Sequence, residues 1–415
     1  MERIVVHPSG PLTGRVRIGG AKNSALKLMA ATVLAEGTYV LRNVPRIVDV
    51  DCMADLLRSM GLSVDHAADV LTVTRPAEIN PEAPYELVER MRASIVVLGP
   101  LLARFGRARV ALPGGDDFGS RPIDMHIQSL ERLGATFESS HGYIEARAER
   151  LVGTRLFLDF PSVGATEHAL MAAVLAKGET VIENAAREPE IADLAAFLNR
   201  MGAHVLGAGS PSITIEGVDE LQPVEHEVIP DRIEAATFLA ALGACGGEVV
   251  LEGARPEHMD MIMQKLGDMG MRISAHPDGV WAMVGERLRS ADVSTLPYPG
   301  IATDYKPFLV SVLAVAEGVA IVAENIFAGR FRYIDELVRM GADIRVEEHF
   351  AIVRGVERLS GAPVRAHDIR AGAALVVAGL AADGDTVVHD AHHIARGYER
   401  FTEKLRGLGA DVEAE

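Results

Sequence analysis

The chain has 415 residues, 48% of them apolar and 24% charged, which is enough for two or three domains with full hydrophobic cores. Its 58 acidic against 41 basic residues give a formal net charge of -17, which argues against broad electrostatic binding to nucleic acid or to an anionic membrane. Any anionic ligand must then be held by a local cluster of Lys and Arg. Aromatic residues are 5% with one Trp, so no stacking platform for bases is evident, and no apolar run reaches the ~20 residues that span a bilayer.

At the start of the chain, Met1 to Gly10 lacks the basic-then-apolar order of an export signal, which points to a cytoplasmic protein. From there one pattern recurs. An apolar, helix-like stretch (25–34) ends just before Gly37, which opens the strand-like run Thr38-Tyr39-Val40-Leu41. A second helix-like stretch then ends at Gly61 before more strand-like residues. The first kind of glycine recurs at Gly37, Gly106, Gly178, Gly247, Gly318 and Gly384. The second recurs at Gly61, Gly134, Gly202, Gly270, Gly341 and Gly409, with spacings of 73, 68, 68, 71 and 68 residues. Glycine suits the position after a helix because a left-handed cap costs it no steric strain.

The repeat therefore reads as a β-α-β-α-β-β unit, six times over. Its first helices, such as 25–34 and 373–382, are apolar nearly all round. Its second helices are amphipathic, as in 334–340 with Asp335, Glu336 and Arg339 expected to be exposed. Buried helices with sheets outside them fit two compact three-unit domains better than a solenoid.

Counting back 14 or 15 residues from each first glycine reaches the expected start of an inner helix: Lys22, Arg92, Gly164 (after Ser162), Arg232, Asp304 and Arg370. Helix N-termini carry unpaired N–H groups and a partial positive charge, so six at matched register predict an anion site. The loops before the second helices add Arg46, Arg121, Arg187, Arg255, Arg330 and Arg396. One unit is longer, with 28 residues between its two glycines against 23 to 25 elsewhere. The surplus falls in Pro113-Gly114-Gly115-Asp116-Asp117-Phe118-Gly119-Ser120-Arg121, a lid candidate. Repulsion between its adjacent carboxylates favours a raised pKa and a general acid.

Several chemistries are not supported. There is no GxxxxGK[ST] loop and no strand–GxGxxG–helix unit, so neither a P-loop nor a dinucleotide cofactor is predicted. Cys52 and Cys245 are isolated and read as buried small hydrophobes, and the 14 histidines, read mostly as surface or loop residues, show no metal-ligand spacing. No cofactor and no metal are expected.

The strings Gly19-Gly20-Ala21-Lys22-Asn23-Ser24-Ala25, Met91-Arg92-Ala93-Ser94, Leu112-Pro113-Gly114-Gly115, Ser120-Arg121-Pro122-Ile123-Asp124-Met125-His126, Ser162-Val163-Gly164-Ala165-Thr166-Glu167, Asn184-Ala185-Ala186-Arg187-Glu188-Pro189-Glu190, Pro230-Asp231-Arg232-Ile233-Glu234, Asp368-Ile369-Arg370-Ala371 and Arg396-Gly397-Tyr398-Glu399 resemble the UDP-N-acetylglucosamine 1-carboxyvinyltransferase family over the whole chain. The resemblance implies two inside-out α/β barrel domains with the active site in the interdomain cleft. One domain would span 22–229; the other would join 1–21 to 230–415.

It further implies transfer of the enolpyruvyl group of phosphoenolpyruvate to the 3-hydroxyl of UDP-N-acetylglucosamine, the first committed step of peptidoglycan synthesis. Lys22, Arg121 and Arg396 would cradle phosphoenolpyruvate with Asn23 and Arg370 in support, and Asp304 would take the sugar proton. Arg92, Arg121, Pro122, Ile123, Asp124, Met125, Ser162, Val163, Gly164, Asp304 and Ile326 match positions that hold the UDP-sugar.

Three positions depart from the family. Asp116 stands where many members carry a lid cysteine that acts as acid and is alkylated by the epoxide fosfomycin. Val48 and Phe160 replace lysines found in some members. A transferase acting on another uridine nucleotide and a non-catalytic UDP-sugar-binding paralogue are the alternatives. The shikimate-phosphate enzyme's Lys-Ser-x-Ser and Gly-Asn-Ala-x-Thr strings are absent.

Overall fold

Residues 2–112 and 123–415 are described by a computed structural model, and they divide into two compact units. One comprises 20–112 with 123–229, the other 2–19 with 230–415. Within each unit the described residues form three four-stranded sheets of one topology. In the sheet built from Arg155–Phe157, Glu179–Glu183, His204–Leu206 and Ser212–Glu216, the first two strands pair in parallel through a helical crossover. The last two form an antiparallel hairpin that pairs back onto the second strand.

Three sheets take one strand from a distant part of the chain. Glu225–Glu227 pairs in parallel with Gly37–Arg42, with Glu225 opposite Val40, and completes the first sheet of its unit. In the other unit Leu12–Arg17 pairs in parallel with Gly247–Glu252, and Arg3–Val6 lies antiparallel to both Thr386–His389 and Val412–Ala414. The chain thus begins one unit, builds the other and returns. Within a repeat, helices bridge the parallel strand pairs that a tight turn could not connect.

The inner helices are enclosed as their composition predicts. Every residue of Ile369–Leu380 is buried, as is Arg232–Gly243 of the helix Arg232–Cys245, and these pack with Lys306–Leu313 at the centre of their unit. Strand residues alternate in the sheet around them, so Val249 and Leu251 turn inward while Glu248 faces out. All twelve repeat glycines have positive φ, from 66° at Gly106 to 122° at Gly37, which is the backbone state that makes them hard to replace.

Four expectations need correction. The inner helix of the fifth repeat starts at Lys306, so Asp304 sits in the turn before it, because Pro307 suits only a first turn. Arg92 opens a 3-10 turn (Arg92–Val97) that leads into the helix Leu98–Phe105. Glu336 is buried, since its carboxylate accepts the Arg365 N–H at 3.1 Å. His126, His168 and His226 are interior residues held by side-chain partners.

Candidate functional site

In the unit of 20–112 and 123–229, Lys22 and Asn23 open the helix Lys22–Ala31. Lys22 Nζ lies 2.7 Å from Asp49 Oδ2, in the first turn of Val48–Ser59. Ser24 donates to Asp193, whose other oxygen lies 2.8 Å from His226 Nε2, which ties this helix start to the strand that closes the first sheet. One turn on, Lys27 donates to the Asn23 carbonyl at 3.2 Å and sits 3.1 Å from Glu167 Oε2. Glu167 is fully enclosed, and burial outweighs Lys27 to push its carboxyl up to about 7.

Two further helix starts meet beside it. Ile123, Asp124 and Met125 lead the helix Asp124–Arg132, and Ser162, Val163 and Gly164 lead Val163–Ala173. Gly164 leaves the His126 ring close against the backbone, since a Cβ there would lie 3.0 Å from His126 Cε1. His126 Nδ1 is 3.1 Å from His168 Nδ1, so one ring donates and the other accepts. Burial first, then the charges of Arg92 and Lys27, lower His126 to about 4, which keeps it neutral at ordinary pH. Arg92 and Gly164 thereby stand beside one uncharged histidine pair.

The unit of 2–19 and 230–415 gathers a second group. Asp304 lies between two arginines: Arg330 Nη1 donates to its Oδ1 at 2.7 Å, and Arg370 Nε to its Oδ2 at 3.2 Å. Burial opposes ionisation of Asp304, but the two guanidiniums outweigh it and hold the carboxyl well below the usual range. Arg370 also faces the Tyr398 ring at 5.3 Å and lies beside Gly397, which places the Arg396 segment next to it. Ile326 stands in the loop that runs from Glu324 to Arg330 and is half-buried. Asp116, Arg121 and Pro122 lie outside the described residues.

The helix starts do not all offer free amides. Asp231 accepts from the N–H groups of Ile233 and Glu234, Asp368 from those of Arg370 and Ala371, and Ser162 from that of Ala165. These side chains cap their own helices, so at the Asp231 and Asp368 starts Arg232 and Arg370, rather than the capped helix ends, are the groups to attract an anion. Val48 and Phe160 are both solvent-exposed.

The buried partners Asp49, Glu167, Asp193, Glu324 and Lys306 were not legible as a group, because each became informative only once its opposite charge was beside it; Arg330 stood out already by its place before the second helix of its repeat. Among the described residues no cluster of His, Cys, Asp and Glu could hold a metal ion, and no helix is long and apolar enough to cross a membrane.

A family model for EPSP synthase (3-phosphoshikimate 1-carboxyvinyltransferase) matches residues 6–405. The UDP-N-acetylglucosamine 1-carboxyvinyltransferase of Nocardia farcinica is 53% identical, covering 99% of this chain and 98% of its own length. The enzyme of that name from Mycobacterium tuberculosis is 51% identical over 99% of both chains. Among solved structures, the enolpyruvyl transferase NikO of Streptomyces tendae superposes with a TM-score of 0.89 at 27% identity, covering 99% of this chain and 98% of its own. EPSP synthase of Acinetobacter baumannii shares the fold, with a TM-score of 0.77 at 20% identity over 100% and 99% of the two chains.

Proposed function

The chain belongs to the EPSP synthase (3-phosphoshikimate 1-carboxyvinyltransferase) family, and we propose that within it this protein moves the enolpyruvyl group of phosphoenolpyruvate onto the 3-hydroxyl of UDP-N-acetylglucosamine, releasing phosphate. The identity of about half over full length to enzymes named for that reaction supports this acceptor over a shikimate phosphate. The product would enter peptidoglycan synthesis in the cytoplasm and so serve cell shape and division.

The reaction adds and then eliminates. Protonation at C3 of phosphoenolpyruvate leaves C2 open to the sugar oxygen, whose proton must go to a base. Loss of phosphate from C2, with loss of a proton from C3, then regenerates the double bond in the product ether. In this reading Asp304 receives the hydroxyl proton. The Asp304–Arg330–Arg370 contact is the observation that carries the assignment, because it fixes an ionised carboxylate among cations able to attract the substrate's own carboxylate and phosphate. As those anions bind, they share the guanidiniums and make Asp304 more basic than it is in the free protein.

Lys22, Arg121 and Arg396 supply the remaining positive charge, with Asn23 and Arg370 in support, and Asp116 is assigned as the proton donor to C3. Arg92, Arg121, Pro122, Ile123, Asp124, Met125, Ser162, Val163, Gly164 and Ile326 are assigned to the nucleotide sugar.

A different uridine nucleotide as acceptor has one observation in its favour. Val48 and Phe160 leave exposed apolar side chains where some members have lysines. A phosphate-release assay with phosphoenolpyruvate and either UDP-N-acetylglucosamine, UDP-glucose or shikimate 3-phosphate separates the readings. Release with the first alone is expected. Release only with another acceptor, or with none, would overturn the proposal.

A further inference from the structure

Behind Asp304 lies a second charged pair that the mechanism does not use. Lys306 and Glu324 have no exposed side-chain surface and stand 2.9 Å apart. The Glu324 carboxylate is saturated. Its Oε1 accepts from Thr295 Oγ1 at 2.8 Å and from the N–H groups of Ile326 and Phe327 at 2.9 and 3.0 Å. Its Oε2 accepts from Thr303 Oγ1 at 2.8 Å and faces Lys306. Lys306 in turn donates to the Arg330 carbonyl and sits 3.8 Å from the Phe331 ring centroid.

Two backbone segments are joined by these contacts. One is the turn carrying Thr303 and Asp304 into the helix Lys306–Leu313; the other is the loop from Glu324 to Arg330. Thr303 links the two layers, since its hydroxyl donates to Glu324 and accepts from Arg330 Nη1 at 3.2 Å while the same nitrogen holds Asp304. A buried ion pair contributes little net stability compared with apolar residues of the same shape, because desolvation offsets the attraction. Here, however, it fixes the direction of a carboxylate and an arginine at once.

We propose that Glu324 and Lys306 are positioning residues for Asp304, acting through Thr303 and Arg330 to aim the carboxylate at the acceptor hydroxyl. The inference rests on the assignment of Asp304 as base. Neither side chain has exposed surface with which to touch substrate. Their loss is expected to act on turnover more than on binding, because a carboxylate misaimed by an ångström still attracts the same ligands.

The test compares Glu324→Gln, Thr303→Val and Thr303→Ser with Asp304→Asn, measuring kcat, both KM values and the thermal midpoint. Glu324→Gln and Thr303→Val should each lower kcat roughly 10-fold or more with both KM values within about 3-fold of the parent. Thr303→Ser, which keeps the hydroxyl, should restore kcat. If Glu324→Gln does not fold, the Val and Ser pair at position 303 decides. Parental kcat in a folded Glu324→Gln or in Thr303→Val would overturn the proposal, as would failure of Thr303→Ser to recover turnover. Parental kcat in Asp304→Asn would instead remove the base assignment, so the two failures are distinguishable.

Discussion

Lys22 Nζ and Asp49 Oδ2 stand 2.7 Å apart, with both side chains almost wholly enclosed. The lysine assigned to phosphoenolpyruvate is therefore aimed before any ligand arrives, by a partner in the neighbouring helix of the same repeat. Such pre-orientation lowers the entropy lost on binding, while Asp49 competes for the same ammonium.

Removing the cation should expose its share of the affinity. A hydrogen bond to a charged group contributes about 1.5–3 kcal/mol, so Lys22→Ala is expected to weaken phosphoenolpyruvate binding roughly 10- to 100-fold. Arg396→Ala should act in the same direction. Calorimetric titration of each variant reads this directly. An affinity unaffected by both changes would remove Lys22 and Arg396 from the cradle.

Asp304 makes a prediction about pH. Burial alone would raise its pKa, but Arg330 and Arg370 hold it well below the usual carboxylate range, which favours the ionised form in the free protein at ordinary pH. Any acid limb of kcat/KM above about pH 4 must then belong to another group. Asp304→Asn should lower kcat/KM by roughly 1,000-fold at all pH values and leave that limb in place. Disappearance of the limb in the variant would show that Asp304 itself titrates there.

Glu167 should leave a mark on stability. Burial raises its folded pKa to about 7, against 4.5 when unfolded, with Lys27 only partly compensating. Between those values the folded chain keeps a proton that the unfolded chain has lost. The contribution to stability is thus favourable at low pH and falls as pH rises through the window, a change of about 3 kcal/mol in all. Glu167→Gln cannot titrate, so relative to the parent it should gain stability from pH 5 to pH 8. Urea unfolding at pH 5, 6.5 and 8 measures the difference. A constant offset would contradict the raised pKa of the enclosed Glu167.

Much of this architecture was legible in the chain, and the reason is local. The twelve glycines mark backbone states that few other residues tolerate, so helix ends such as Gly61 and Gly341 could be read directly. The all-round apolar helix 373–382 corresponds to Ile369–Leu380, shifted because Asp368 caps it from outside the apolar run. What local pattern could not supply was pairing over distance. Nothing near Glu225 indicates that it closes the sheet of Gly37–Arg42, and nothing near Glu336 indicates that an N–H of residue 365 will bury it. The same applies to the site. Lys22 and Asp304 could be singled out by register, whereas Asp49 and Glu324 acquired meaning only from partners brought to them by the fold.

Asp116 is assigned from the sequence alone, as the acid in place of a lid thiol. Alkylation by fosfomycin needs a soft, strong nucleophile, and a carboxylate opens such an epoxide poorly. The two thiols offer no substitute. Cys52 is buried in Val48–Ser59, and burial pushes the Cys245 thiol up to about 12, far from the thiolate form. The protein is therefore expected to resist time-dependent inactivation. Asp116→Cys should become sensitive while keeping activity, since a thiol can also deliver a proton to C3. Asp116→Ala should lose most activity, and Asp117→Ala should not, because the assignment gives the proton to one of two adjacent carboxylates. Preincubation with the epoxide, followed by residual activity and intact mass, tests all of these variants together. A stoichiometric adduct on the parent protein, formed in step with loss of activity, would show that some group in this chain attacks the epoxide, and Asp116 could no longer be assigned as a non-nucleophilic acid.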